Sequence, residues 1–272
     1  MLGKLLRKKK VAEAHALPSV GEGHRYYAIG DIHGRLDLLD LLLDRILKDS
    51  QNRGDAVSHL IFLGDLVDRG PDSAGVVQRA IELAAASNES ERGAVRFLKG
   101  NHEEVFIAAA RGDVQSTRFL TRFGGRETMM SYGLSPDDFE TMDSAQLTDW
   151  MLNNVPRAHV DFLDSFEDMI EIEDYVFVHA GIRPGVPLKD QDPGDLRWIR
   201  DEFLSWRQPH DKIVVHGHTI MLEVDEHPNR IGIDTGAYHS GRLTAIGLEG
   251  TRRWYLSTTD DVGIPLKRPQ PL

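Results

Sequence analysis

The sequence predicts an α/β fold with a parallel half-sheet, and three observations carry that prediction. Between residues 25 and 103, an apolar strand, a glycine with polar residues and a helical pattern follow one another three times. Strand character returns in the last hundred or so residues, after a stretch that reads as helical. No apolar run approaches the roughly 20 residues needed to cross a bilayer, so the apolar segments must pack against each other.

The first strand is expected over residues 25–30 and ends at Asp31-Ile32-His33-Gly34. Leu39, Leu42, Leu43 and Ile46 then recur at helical spacing. The second strand, residues 59–63, ends at Gly64-Asp65, and Val76, Val77, Ala80, Ile81 and Leu83 mark the next helix. The third, residues 94–98, ends at Gly100-Asn101-His102-Glu103. This β-α-β-α-β order argues for a parallel sheet covered by helices. The C-termini of such strands share one edge, where ligands bind, so the three polar clusters should converge.

Residues 104–167 change character, with helical patterns, a Gly124-Gly125 pair and breaks at Pro136 and Pro156. They read as a helical insert over the site edge. Arg118, Arg122 and Arg126 in this insert suit either a groove for a phosphorylated chain or a solvated helix face. Strands are expected again over 175–178, 212–215, 230–233 and 243–248, with 252–256 adding a last one. Two end in histidine turns, His179-Ala180-Gly181 and His216-Gly217-His218-Thr219. The economical organisation is one domain over 25–258, between a basic tail (1–24) and a loose tail (259–272).

Composition narrows the function. The 272 residues carry a formal net charge of -11, which disfavours general nucleic-acid binding, because that runs on Lys and Arg contacts to phosphate. Any phosphate site must be made locally positive by metal or a few arginines. The absence of cysteine excludes disulfides and thiolate zinc sites and suits a reducing cytoplasm. Lys4, Arg7, Lys8, Lys9 and Lys10 form a basic head, but no apolar run of the signal-peptide kind follows.

The strand ends carry the chemistry: Asp31 and His33, Asp65 and Asp68, Asn101 and His102, His179, and His218. Mixed Asp, His and Asn donors suit borderline divalent metals. A carboxylate such as Asp65 can bridge two ions about 3.5–4 Å apart, and such a pair generates hydroxide near neutral pH. Taken singly, each residue has a plainer reading. Asp31 or Asp65 could mark a turn, Asp68 could cap a helix, and a lone histidine such as His179 could be a satisfied core residue. Five clusters together displace these readings. His216 is expected to be structural and Glu103 to support the first turn of its helix; Tyr238 and His239 follow the Asp234-Thr235-Gly236 turn and could lie near the site, though surface or core duty is the default for residues outside the motifs.

Gly30-Asp31-Ile32-His33-Gly34, Gly64-Asp65-Leu66-Val67-Asp68-Arg69-Gly70 and Gly100-Asn101-His102-Glu103 resemble three signature motifs of the phosphoprotein phosphatase family of calcineurin-like metallophosphoesterases. His179-Ala180-Gly181 and Gly217-His218-Thr219 resemble its two later histidine motifs, and Asp234-Thr235-Gly236-Ala237 resembles a segment of its bacterial and phage members. The resemblance covers residues 25–248. It implies a four-layer α/β/β/α sandwich of two mixed sheets. It further implies that Asp31, His33 and Asp65 hold one ion and that Asp65, Asn101, His179 and His218 hold the other. Manganese is the expected ion, with iron, zinc, cobalt or nickel as alternatives.

By the same resemblance, Asn101 also lies at the phosphate, Arg69 and Arg200 grip it, His102 is the general acid, and Asp68 orients His102. Arg197 is a second candidate for the role of Arg200. The activity expected is hydrolysis of phosphomonoesters on proteins, at Ser or Thr and also Tyr, with phosphorylated proteins as partners. The alternative is a symmetrical diadenosine tetraphosphate hydrolase or another small-molecule phosphoesterase. Against it stand Asp68, which that group lacks, and the form of the last histidine motif. A catalytically dead scaffold would show gaps in the ligand set, and there are none.

Overall fold

A computed structural model describes residues 17–88 and 93–259. The basic head and the proline-rich end lie outside the described residues. Strand β1 (His24–Ile29) leads into α1 (Leu36–Asn52), β2 (Val57–Phe62) into α2 (Ser73–Asn88), and β3 (Val95–Phe97) into α3 (Asn101–Ala110). These strands pair in parallel, as the β-α repeats require. The helical run continues through α4 (Val114–Arg122), α5 (Gly125–Ser131), α6 (Pro136–Thr141), α7 (Ser144–Asn154) and α8 (Arg157–Asp164).

The second half holds β4 (Met169–Ile172), β5 (Tyr175–Val178), the short helices α9 (Pro193–Trp198) and α10 (Asp201–Leu204), β6 (Ile213–His216), β7 (Asp225–Glu226) and β8 (Arg230–Gly232). It closes with α11 (Ala237–Ser240), β9 (Thr244–Glu249) and β10 (Arg252–Ser257). One sheet runs β10-β9-β1-β2-β3 and the other β4-β5-β6-β8-β7. Both are mixed, since β9 runs antiparallel to β1, and β4 and β7 antiparallel to their neighbours. β4 and β7, of four and two residues, escape a sequence reading: Met169-Ile170-Glu171-Ile172 follows the helical insert without a turn signal to set it off, and Asp225-Glu226 carries no apolar residue.

Alternation along the longer strands builds the layers. Tyr27 and Ile29 of β1 turn to a core shared with α1, α2 and the helical insert, through Leu39, Val76 and Phe106. Ala28, between them, faces the other sheet, where Ile61, Phe177, Val215 and Ile231 interleave. On the far side of that second sheet, Val176, Val178 and Val214 meet Leu196, Ile199 and Phe203 from the α9–α10 region. Helices, sheet, sheet and helices thus stack in four layers. Each fully buried side chain of this size stabilises by about 1.5–3 kcal/mol. The packing starts before β1: Val20 is buried between the sheets and its N–H donates to the Gly250 carbonyl at 3.0 Å.

Candidate metal centre

The parallel strands of both sheets bring their C-terminal ends to one edge, and the polar clusters meet there. The backbone at this edge is unusual. His33, Asp65, Asp68, Arg69 and His218 all have positive φ, between 47° and 72°. The remaining non-glycine example among the described residues is Glu173. Left-handed backbone costs an L-residue about 1–3 kcal/mol, and such strain collects at functional sites. Here all five such residues lie in the loops that follow the strands. Close backbone approach completes the turn: a Cβ on Gly217 would collide with Asp31 Oδ1.

Two groups of donors can hold an ion. His33, Asp65 and His102 form one, and Asp65, His179 and His218 form the other. Asp65 belongs to both. Its Oδ2 lies 3.6 Å from His33 Nε2 and 3.4 Å from His179 Nε2, while its Oδ1 accepts the His102 N–H at 3.0 Å. Asn101 Oδ1 joins the second group, 3.0 Å from His179 Nε2 and 2.9 Å from His218 Nδ1. Asp31 lies beside the groups. Its two oxygens accept the His218 N–H at 3.2 and 3.0 Å.

The donor chemistry fits divalent cations. His33 Nδ1 donates to the Val67 carbonyl and His179 Nδ1 to the Leu63 carbonyl, both at 2.8 Å. Each bond fixes a tautomer whose Nε2 lone pair faces the site, the usual support for a metal-binding imidazole. His179 Nε2 and His218 Nδ1 lie 3.2 Å apart, two ring nitrogens and an amide oxygen around one point. Burial, then Asp234 and Asp65, push the Asp31 carboxyl well above the usual range. Burial also pushes Asp234 up to about 6, and its Oδ2 has no hydrogen-bond partner among the described residues. Asp65 differs: against the cost of burial, the His179 and His102 rings hold its carboxyl well below the usual range. Three buried carboxylates in such proximity call for positive charge.

Beside the donors, His102 Nδ1 donates to Asp68 Oδ2 at 2.7 Å. Thr128, from α5, donates to the other Asp68 oxygen at 2.6 Å. Burial disfavours a charged His102, but Asp65 and Asp68 outweigh it and raise its pKa. Arg69 spans the mouth, donating to His33 Nε2 and His102 Nε2, each at 3.0 Å. The Tyr238 ring lies 4.9 Å from the Arg69 guanidinium and meets the His33 ring edge-on at 5.5 Å. A groove of about 630 Å³ opens between them, walled by Arg35, Arg69, Pro71 and Tyr238.

The structure brings Asp31, His33, Asp65, Asp68, Arg69, Asn101, His102, His179 and His218 together; the other candidates differ in commitment. Arg197 is spent on ion pairs with Glu104 and Asp168. Arg200 has no ion pair among the described residues and lies close enough for its charge to lower the His218 pKa, after burial and His179. His216 is buried against the Phe203 ring, and burial lowers its pKa to about 4. Glu103 does more than support its helix. Its carboxylate accepts the N–H groups of Asp65 and Leu66 at 2.7 Å and of Gly100 at 2.9 Å, tying two motif loops together. The sequence also left Asp234 without a role, although a polar residue just past a strand end was the available signal.

A two-sheet sandwich with paired Asp/His donor groups at its strand ends defines a metal-dependent phosphoesterase. The calcineurin-like phosphoesterase family model matches residues 24–249, and the chain belongs to that family. Its members use divalent metal ions. The chain is 25% identical to a symmetrical bis(5'-nucleosyl)-tetraphosphatase of Nitrosomonas europaea, over 82% of this chain and 94% of the relative. It is also 25% identical to the asymmetrical bis(5'-nucleosyl)-tetraphosphatase PrpE of Oceanobacillus iheyensis, over 80% of this chain and 86% of the relative. Among solved structures, a cold-active protein tyrosine phosphatase superposes with a TM-score of 0.55 at 19% identity, covering 87% of this chain and 79% of that one.

Proposed function

We propose that the chain hydrolyses dinucleoside tetraphosphates at a pair of divalent metal ions. The observation that carries this reading is the shared activity in the names of relatives matched over most of both chains, symmetrical and asymmetrical alike. It reverses the preference drawn from the motifs, which put protein phosphatase first.

In this reading Asp31, His33 and Asp65 hold one ion, and Asp65, Asn101, His179 and His218 the other, with the Asp65 Oδ2 position between His33 and His179 suiting a shared ligand. When bound, the two ions lower the pKa of a water and draw charge from the phosphate oxygens. Arg69 turns its two Nη donors from the histidines to the substrate phosphate, and Arg200, whose charge reaches His218, adds a second grip. His102, steadied at Nδ1 by Asp68, delivers a proton from Nε2 to the departing oxygen. Residues 25–258 act as one domain, with the insert (104–167) shaping access.

The Asp68–His102 pair favours a second reading, a phosphoprotein phosphatase. A serine or threonine alkoxide leaves poorly without a proton, whereas a nucleoside polyphosphate leaves readily. The test is a side-by-side assay with manganese on diadenosine tetraphosphate, a phosphoserine/phosphothreonine peptide and a phosphotyrosine peptide, compared by kcat/KM. Preference for either peptide overturns the tetraphosphatase reading in favour of the second.

A further inference from the structure

Three large aromatic side chains stand together on the surface beside this site. Phe119 on α4, Phe123 just past its end and Trp198 at the end of α9 are 37%, 48% and 37% exposed. The Phe119 and Phe123 rings lie 4.4 Å apart, and Trp198 meets Phe119 edge-on at 5.9 Å. Single exposed apolar residues are ordinary, but a mutually packed aromatic group with free faces marks a binding surface.

Its position is set from both sides. Phe123 precedes Gly124, whose carbonyl accepts the Arg69 N–H at 2.9 Å. Trp198 precedes Arg200 by two residues, and its indole N–H donates to Glu104, two residues beyond His102, at 3.1 Å. The group is therefore tied to Gly124, which holds the Arg69 backbone, and to Glu104 in the first turn of α3, with Arg200 two residues along the chain from Trp198.

The charge around it is also selective. Arg118 and Arg122 flank Phe119 on α4 and are exposed, with no ion pair among the described residues. Arg126, by contrast, is spent on Glu127 and Glu140. Uncommitted guanidinium groups beside free aromatic faces match a ligand that joins a polyanion to a flat ring. A nucleotide has both parts, and an aliphatic peptide side chain has neither.

We infer that Phe119, Phe123 and Trp198 form a stacking platform for a nucleobase of the substrate, with Arg118 and Arg122 beside its phosphate chain. This rests on the tetraphosphatase reading for its substrate, but it is tested separately. Base–aromatic stacking is tolerant of base identity, so adenine and guanine nucleotides are both served.

The experiment has two readouts on wild type, Phe123→Ala, Trp198→Phe and Phe123→Tyr. The first is the kcat/KM ratio of diadenosine tetraphosphate to tripolyphosphate, which carries no base. The second is binding of ADP and of pyrophosphate by calorimetry. Phe123→Ala should lower the kinetic ratio and the ADP affinity by about 10-fold to 100-fold, the range for losing one stack, with pyrophosphate affinity kept. Phe123→Tyr and Trp198→Phe, which retain a ring, should stay within about 3-fold of wild type. ADP binding no tighter than pyrophosphate, or unaffected by Phe123→Ala, overturns the platform. Absence of dinucleotide turnover with Phe123-dependent ADP binding would sink the tetraphosphatase reading and leave the platform standing.

Discussion

Gly124 accepts the backbone N–H of Arg69 at 2.9 Å, and a Cβ on Gly124 would lie 2.6 Å from Arg69 Cγ. A residue of the helical insert thus holds Arg69, the arginine proposed to grip the phosphate, in its left-handed turn, with φ of 105° at Gly124 and 70° at Arg69. Gly124→Ala should push Arg69 off its position and strain the insert. Expected is a rise in KM of about 10-fold for phosphate substrates, within what a charge-assisted contact is worth, and a stability loss of about 1–2 kcal/mol. Steady-state kinetics and urea denaturation read the two effects; an unchanged KM would disconnect the insert from Arg69.

Asp65→Asn removes the carboxylate shared by both donor groups. Metal content by plasma emission should drop by at least one ion per chain, and activity should vanish. A variant with most of its turnover intact would contradict a two-ion site.

His102→Asn should separate substrates by leaving group. With p-nitrophenyl phosphate, whose phenolate needs little help, the loss in kcat should be small. With an alkyl phosphate it should reach about 10²–10⁴-fold. Equal losses on both would remove His102 from the acid role and make its place beside His33 and Asp65 the better guide.

Glu103→Gln tests the tie between motif loops. The carboxylate accepts three close N–H groups, whereas an amide offers one acceptor oxygen and turns an N–H₂ toward donors. A loss of about 1–3 kcal/mol is expected in urea denaturation. A smaller change would mean the loops hold each other without it.

His159, on α8, lies between Tyr132 Oη at 3.0 Å and Gln78 Oε1 at 3.3 Å, and burial lowers its pKa. The unfolded chain therefore takes up a proton first as pH falls below about 6.5. Its contribution to stability is complete above that value and declines on acidification toward the lower folded value. His159→Gln should flatten this part of the pH–stability curve, as thermal melts between pH 5 and 8 would show.

Much of this is legible in the sequence, because strand ends in a parallel sheet must converge. Asp31, Asp65 and Asn101 needed only three β-α repeats to be placed together. His179 and His218 came from a second sheet that periodicity saw as loose strands, and the motif resemblance supplied the link. Strand register does not place His218: β6 ends at His216, and the positive φ at His218 lies beyond it. The reach of Glu103 to residues 65 and 66 was invisible, since hydrogen bonds across 38 and 37 positions leave no local pattern. The surface aromatic group was hidden for the same reason, its members coming from α4 and α9.

The bond between His218 N–H and Asp31 joins residues 187 apart. A ribosome delivering this chain releases the first acidic strand end long before the last histidine. Closing so long a loop is slow, so the donor set is completed late in folding. Recovery of activity after dilution from denaturant would consequently serve as a clock for the docking of the two sheets, lagging behind the burial of the first three strands.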